Sequence, residues 1–350
     1  MTCSRIALYS YSLRSPMQPA KEPLLSNVAP TTVSLSGRFL SEPFYREKLS
    51  GFRKYDPGLW RSTINLHFTS FMSVPFFVLT GWTAFLWVLT AEVAALKPYV
   101  MLTPTVHTLL GAALSFLMVF RTNTAYSRWW EARLLWGAVN NNTRSVLCRA
   151  PSMLKNEAAY IQLTTELMAF AVALKNHLRS EKTRPEELGA MLPYALMATL
   201  GESINPPLAA VQALGHTIRS GIKTEANQAG DAIMANASFL SLSTALDALV
   251  NSVGACERVR NTPTPFGYVC ALRSFLLLWL FTMPFTLVGV YGVVSIPAMA
   301  LVGFLFLNLE MMATEIEQPF GDDADDLPLE EYCLGIERVC LDFLKRKPFR

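Results

Sequence analysis

The residues of this chain most suggestive of chemistry are an acidic run, Asp322-Asp323-Ala324-Asp325-Asp326. Four aspartates within five positions repel one another, and hard carboxylate oxygens in one loop are the ligands that Ca²⁺ accepts. The run is not an EF-hand, because its glycine, Gly321, precedes the acidic residues. A solvated acidic loop that caps a helix predicted over 329–345 accounts for the same residues. Both interpretations stay open on the sequence alone.

Motifs of enzyme chemistry do not appear in the sequence. The four histidines stand apart from one another and lack an H-E-x-x-H or similar partner. There is no G-x-S-x-G, P-loop or G-x-G-x-x-G pattern, and none of the six cysteines belongs to a C-x-x-C pair. The sequence therefore predicts transport or a structural role rather than an enzyme.

The distribution of charge predicts a membrane protein. The chain is 51% hydrophobic and only 16% charged, with a mean hydropathy of +0.29. Its net charge of +3 is too small to indicate a nucleic-acid partner. Several stretches without any charged residue are long enough to cross a bilayer, since about 20 apolar residues span its core. We predict four spans, with a break between the last two near residues 289–297, over about 64–92, 105–121, 270–290 and 295–313.

The second predicted span has two unusual features. Ala112, Phe116 and Phe120 recur every four residues and so share one face of a helix. On spacing alone, that face packs against lipid or protein. No helix breaker follows the span, so we expect the helix to leave the membrane as a stiff rod. Trp129 and Trp130 stand on the rod where an aromatic belt would anchor it at the membrane interface. Arg128 would then be an interfacial or ion-paired arginine.

The segment between the second and third spans, about 122–268, has the pattern of an aqueous helical region. Charges return at helical spacing, and apolar residues recur every three to four positions. Proline breaks divide the segment. We predict amphipathic helices over about 122–148, 152–182, 206–222 and 227–260. Four spans place this region and both termini on one side of the membrane, where Lys and Arg are plentiful.

Residues 1–45 form an N-terminal segment distinct from a single domain predicted over 46–345. The beginning of this segment is rich in serine and arginine and poor in acidic residues. That profile is similar to an organelle transit peptide. An ordinary cytosolic tail is the alternative.

Three strings of residues resemble the signatures of bestrophins and bestrophin-like proteins. They are Phe120-Arg121-Thr122-Asn123-Thr124-Ala125-Tyr126-x-Arg128-Trp129-Trp130-Glu131, then Ile316-Glu317-Gln318-Pro319-Phe320-Gly321-Asp322-Asp323 continuing to Asp326-Leu327-Pro328-Leu329, and Cys256-Glu257-Arg258 with Thr262-Pro263-Thr264-Pro265 and Tyr268. The resemblance covers roughly 50–345, with the spans in the expected order. It is nearer to the bacterial and plant or algal branch than to the animal branch.

The resemblance implies an all-α membrane protein with four transmembrane helices per subunit and a helical aqueous domain, assembled as a pentamer around one axial pore. Bestrophins are anion channels, so chloride, nitrate and bicarbonate are the implied permeant ions, and the lipid bilayer and further copies of the chain are the implied partners. Ala112, Phe116 and Phe120 would line a narrow apolar neck. Ala112 is smaller than the aliphatic residue common in the family at that position. A second constriction would fall near Ala237.

The resemblance also bears on calcium, location and competing functions. In animal members the acidic loop belongs to a calcium clasp, and the matching ligands here would be the side chains of Asp323 and Asp326 with backbone carbonyls near Glu315 and Gln318. Several plant and bacterial relatives do not depend on Ca²⁺.

Plant and algal relatives lie in thylakoid membranes, which fits the transit-like N-terminus, with the plasma membrane or another organelle membrane as the alternative. A carrier with alternating access and a non-conducting membrane scaffold remain the competing functions.

Overall fold

The computed structural model describes residues 70–93, 102–188, 194–229, 232–323 and 325–346. All of them belong to one compact unit, Arg38–Arg350. The predicted N-terminal segment 1–45 and the first residues of the predicted span 64–92 lie outside the described residues. Within the described part, the regular elements are helices: α1 Ser70–Glu92, α2 Pro104–Met153, α3 Glu157–Arg179, α4 Pro185–Leu188, α5 Tyr194–Glu202, α6 Pro206–Ala229, α7 Ala232–Asn261, α8 Phe266–Thr282, α9 Pro284–Tyr291, a 3₁₀ turn Gly292–Val294, α10 Ser295–Glu317 and α11 Leu329–Lys345.

Helix α2 is the central element of the molecule. It runs without interruption for 50 residues, or about 75 Å at the α-helical rise. Pro104 occupies its first turn, where a missing N–H costs nothing, and Pro151 falls only in its last turn. The predicted rod, a span that continues as an aqueous helix, is confirmed.

In the membrane part, α8 and α10 pack against α2, and α1 packs against α10 and α9. Its core is apolar throughout, and it contains Leu79, Leu114, Met118, Leu272, Leu276, Trp279, Leu280, Met299, Leu307 and Met311. By length and composition, the stretches Ser73–Glu92, Pro104–Met153 and Phe266–Glu317 are each apolar enough to cross a membrane. The last of these contains both the third and the fourth predicted spans.

The predicted third span, 270–290, is not one continuous helix. Helix α8 ends at Thr282 and α9 begins at Pro284, which has no backbone N–H to donate to the preceding turn. The break before the fourth span lies at Gly292, whose φ of 58° favours glycine. Ser295 Oγ then donates to Gly292 O at 2.6 Å and ties the turn to the start of α10.

The aqueous part has a second, separate hydrophobic core. Helix α3 lies at its centre, buried almost all round, and packs against α6 and α11, while α7 packs against α6 and the second half of α2. The predicted helices 206–222 and 227–260 correspond to α6 and α7, and 152–182 corresponds to α3. The short helices α4 and α5, in the region between Arg179 and Pro206, were not predicted.

Helix α7 also contains a stretch, Ile233–Asn261, that is long and apolar enough to cross a membrane by composition alone. Its buried residues, among them Leu242, Leu249 and Val253, belong to the core of the aqueous part. Because α2 and α6 cover this face, we place α7 in the aqueous part, as its position in the sequence predicts.

Candidate functional site

One face of the membrane half of α2 carries large apolar side chains that the chain itself leaves uncovered. Phe116 is 63% exposed and Phe120 is 49% exposed, and Ala112 lies exposed one turn before them. The opposite face, with Leu114 and Met118, is buried against the other spans. The three residues expected at a pore neck therefore lie together on a free surface.

The two phenylalanines of this face contact each other edge to face. Their ring centroids lie 4.6 Å apart with an interplanar angle of 86°. In a T-shaped pair, one ring points its electropositive edge at the electron-rich face of the other. The remaining ring edges stay available on the exposed side of the helix.

The hydroxyl groups around this face are already used within α2. Ser115 Oγ donates to Gly111 O at 2.8 Å, Thr124 Oγ1 donates to Phe120 O at 2.9 Å, and Thr122 Oγ1 donates to Met118 O at 3.0 Å. Their protons are therefore satisfied by the helix backbone. The surface offers an ion few polar substitutes for its water of hydration.

Directly after the exposed face, Arg121 turns its side chain into the interior. It is fully buried, and its Nη2 lies 2.6 Å from Glu317 Oε2 at the end of α10. Its Nε lies 3.7 Å from Glu310 Oε2, and Arg273 of α8 also holds Glu310 at 2.7 Å. Glu317 Oε1 additionally accepts the N–H of Thr264 at 3.2 Å. This group of four side chains, Arg121, Arg273, Glu310 and Glu317, is called the buried charge cluster below.

The buried charge cluster fixes α2 to α8 and α10 at the end of the membrane part. Buried charges are costly unless they are paired, so each member depends on the others. In the sequence, Arg121 and Glu317 stand out only as parts of the signature strings, and their pairing is not evident from it. The available signal was the position of single charges at the ends of long apolar stretches, which membrane helices rarely tolerate without a partner.

Arg128 connects α2 to the ends of two other helices. It donates through Nε to Glu317 O at 3.1 Å, through Nη1 to Thr262 O at 2.6 Å and through Nη2 to Val259 O at 2.6 Å. Backbone carbonyls at the ends of α7 and α10 take all three contacts, so Arg128 is not ion-paired among the described residues. Its place at a membrane interface stays a prediction.

The two signature tryptophans have different surroundings. Trp129 donates its Nε1–H to Asp325 O at 3.1 Å, so it anchors the acidic loop rather than serving only as a membrane belt. Trp130 is 48% exposed and stacks with Tyr126. The proposed second-constriction residue, Ala237, lies exposed on α7. No contact of Ala237 identifies a constriction.

The acidic loop is compensated mainly from within the fold. Asp322 lies 2.9 Å from Arg179 of α3, which also pairs with the buried Glu330. Asp326 is 5% exposed, and its Oδ2 accepts the N–H of Asp323 at 2.8 Å. The buried Pro319 and Phe320 hold the start of the loop against the aqueous core.

Gly321 has a steric reason to be glycine. A Cβ at this position would lie 2.5 Å from Asp326 Oδ2, which is closer than a carbon and an oxygen approach. The loop thus closes tightly over the Asp326 carboxyl. Burial raises the pKa of that carboxyl to about 7, with the N–H of Asp323 opposing the shift.

The acidic loop offers few side-chain ligands for calcium. Among the residues the structure describes, no group of three or more His, Cys, Asp or Glu side chains is placed to hold a metal ion. Calcium takes about six to eight oxygens, so Asp323 and Asp326 would depend on backbone carbonyls such as those of Glu315 and Gln318. Gln318 O already accepts the N–H of Gly321 at 3.4 Å. The side chains present do not by themselves make a calcium shell, and calcium binding stays a prediction.

The raised pKa of Asp326 gives a pH dependence with a definite sign. We expect the stability of the folded protein to fall as the pH rises from about 4 to about 7. In this window the folded chain holds a proton on Asp326 that the unfolded chain has lost, because the pKa is about 7 in the fold against 3.8 for the free group. The cost of burying a charged carboxylate is absent below the window and complete above it.

Melting temperatures of the purified protein across this pH range, followed by intrinsic fluorescence, test the expectation. Asp326→Asn should flatten the pH profile and raise the melting temperature above pH 7, since the amide keeps an acceptor for the N–H of Asp323. Asp325→Asn is the matched control and should retain the wild-type slope. An unchanged slope in Asp326→Asn would show that Asp326 does not carry the dependence.

Comparison with known proteins gives a consistent result. A family model described as bacterial/fungal bestrophin protein matches residues 61–342. A voltage-dependent anion channel-forming protein of Nostoc sp. is 35% identical over 240 residues, which are 67% of this chain and 76% of the relative. A protein with the same description from Synechocystis sp. is 34% identical over 244 residues, again 67% of this chain and 76% of the relative.

Solved structures agree with the sequence comparison. A crystal structure of a bacterial bestrophin homolog from Klebsiella pneumoniae superposes with a TM-score of 0.69 at 28% sequence identity. The match covers 79% of this chain and 99% of that one. It therefore includes both the membrane part and the aqueous part.

Proposed function

Because this chain belongs to the bestrophin family, in the group described as bacterial and fungal, we propose that it is an anion-selective channel in a membrane. The observation that carries the proposal is the uninterrupted helix α2, which exposes Phe116 and Phe120 on one face and is fixed on its other face by the spans and the buried charge cluster. Repeated around an axis, that face makes an apolar neck.

The chemistry of the face favours anions over cations. No carboxylate lies between Pro104 and Phe120, so nothing in the neck attracts a cation. Phenylalanine ring edges carry partial positive charge. An apolar ring removes water from an ion, and weakly hydrated anions lose least by this. Chloride, nitrate and bicarbonate are the permeant ions we propose.

Flux into liposomes tests this function. Vesicles that contain the protein and a halide-quenched dye should admit chloride rapidly. When they are preloaded with chloride, the dye should recover its fluorescence as external nitrate exchanges for chloride, and external gluconate should give no such recovery. The competing functions give other results. A carrier with alternating access would give slow, saturable flux, and a membrane scaffold would give none beyond empty vesicles. Helix α2 is continuous, which favours the channel over transporters built on broken helices.

The exposed neck face requires partners, and we predict that they are four further copies of the chain. One chain with a single lining helix cannot enclose a pore, whereas cyclic symmetry repeats that helix around an axis. The number five rests on the family. Native mass spectrometry of the protein in mild detergent should give a pentamer as the main species. A monomer or dimer as the only species would defeat the prediction.

The location within the cell is a separate proposal. We propose a thylakoid membrane, from the serine- and arginine-rich composition of residues 1–45, which lie outside the described residues. A fusion of residues 1–45 to a fluorescent protein should enter chloroplasts. Cytosolic fluorescence would instead favour the plasma membrane or another organelle membrane.

A further inference from the structure

A cavity of about 420 Å³ lies in the aqueous part of the molecule, where the C-terminal ends of α3, α7 and α10 meet. Its walls come from the last residues of α3, the last residues of α7 and the loop that follows α10. Three arginines line it from three different helices: Arg128 of α2, Arg179 of α3 and Arg260 of α7. The volume is in the usual range for a small-molecule site.

The three arginines differ in how their charge is met. Arg179 is neutralised by ion pairs with Glu330 and Asp322. Arg128 donates only to backbone carbonyls, which fix its plane but carry no net charge. Arg260 donates through Nη2 to the hydroxyl of Ser180, a neutral partner. Among the described residues, neither Arg128 nor Arg260 forms an ion pair, so two of the three guanidinium charges in the cavity wall have no carboxylate partner.

Ser180 lies in this wall at the end of α3. Its backbone is left-handed, with a φ of 61°, and its N–H donates to Asn176 O and His177 O, as is common where a helix ends. This helix end places the Ser180 hydroxyl against the guanidinium of Arg260.

We propose that this cavity binds a phosphate group. Guanidinium groups hold phosphate oxygens through charge-assisted hydrogen bonds. Arg128 already donates from all three of its nitrogens to backbone carbonyls, so it contributes mainly its positive charge, and the direct contacts fall to Arg260. Arg260 uses one of its nitrogens in the contact with Ser180, so its other donors can face the ligand. Asp322 is the one carboxylate in the cavity wall, and it is already paired with Arg179. Its negative charge therefore repels an anionic ligand only weakly. The site is separate from the exposed face of α2 that forms the proposed neck.

The phosphate group has two sources, and two experiments on the full chain separate them. Isothermal titration calorimetry of the detergent-purified protein with pyrophosphate, in a buffer that contains chloride throughout, measures a free phosphate ligand. Melting temperatures in nanodiscs with and without phosphatidic acid measure a lipid headgroup. Binding in the first experiment assigns a free phosphate compound, and stabilisation only in the second assigns a lipid.

Substitutions decide whether this cavity is the site. Arg260→Gln should weaken binding by at least about tenfold, as expected for the loss of a charge-assisted contact. Glycine also adopts a left-handed backbone, so Ser180→Gly keeps the helix end and removes the hydroxyl that contacts Arg260. It should weaken binding less than Arg260→Gln does. Arg338→Gln is the matched control, since Arg338 is exposed on α11 outside the cavity wall, and it should bind as the wild type does.

The melting temperature without ligand shows whether Arg260→Gln remains folded, which we expect because its one contact is a hydroxyl. The proposal is overturned if neither pyrophosphate nor phosphatidic acid acts on the wild type. It is also overturned if a folded Arg260→Gln protein binds as well as Arg338→Gln does. Both readouts are independent of ion conduction, so they do not depend on whether the protein is a channel.

Discussion

Replacing Phe116 and Phe120 together by alanine should raise the single-channel conductance several-fold and flatten the preference among anions. The two rings are 63% and 49% exposed on the face of α2 that the described residues leave uncovered. Their removal widens an apolar ring and takes away the electropositive ring edges that an anion meets. A wider opening lets ions keep more of their water, so differences in hydration energy matter less.

A matched control separates the neck from general effects on membrane phenylalanines. Phe77 and Phe85 of α1 are 65% and 56% exposed, and α1 packs against α10 and α9. Phe77→Ala with Phe85→Ala removes the same number of rings and should leave conductance and selectivity unchanged. If the neck variant conducts with unchanged conductance and anion preference, or if the control shows the same change, Phe116 and Phe120 do not form the neck.

Removing the central arginine of the buried charge cluster should cause the largest loss of stability. Arg121→Met leaves Glu317 without its cationic partner in a buried position, since the other contact of that carboxylate is the N–H of Thr264. Breaking one partner of a buried ion pair costs about 3–5 kcal/mol. Glu310 loses less stabilisation, because Arg273 Nε still pairs with Glu310 Oε1 at 2.7 Å.

The melting temperature of the detergent-solubilised protein measures this loss. We expect Arg121→Met to melt far below the wild type and Arg121→Met with Glu317→Gln to recover much of the difference, because the second change removes the unpaired charge. Arg346→Met is the surface control, since the Arg346–Asp342 pair is 70% and 52% exposed and such pairs contribute little. Equal melting temperatures for Arg121→Met and the wild type would contradict the role given to the cluster.

The parts of this molecule that could be predicted from sequence are those set by the membrane. Hydrocarbon excludes unpaired charge, so the charge-free stretches mark the spans, and the absence of a breaker after Phe120 predicts the continuous α2. The kink at Pro284 was missed because membrane helices tolerate proline, so its presence inside an apolar stretch does not decide between a kink and a straight helix. Helices α4 and α5 are too short for a periodic pattern to indicate them.

The contacts that organise the site could not be predicted in the same way. Arg121 and Glu317 are far apart in the chain, and charge alone does not say which of several carboxylates an arginine meets. Trp129 was expected to serve as an interfacial anchor, yet its indole N–H donates to Asp325 O in the acidic loop. The loop that follows α10 therefore lies against the aqueous half of α2. Arg128 was expected to be interfacial or ion-paired. It is not ion-paired among the described residues, because its guanidinium donates to carbonyls at the ends of two helices.

Recording the purified protein in a planar bilayer under a potassium chloride gradient tests whether α2 lines an anion-conducting pore. We expect discrete current steps of uniform size, with a reversal potential close to the chloride equilibrium potential. Reversal near the potassium equilibrium potential, or a silent bilayer with folded protein present, would contradict it.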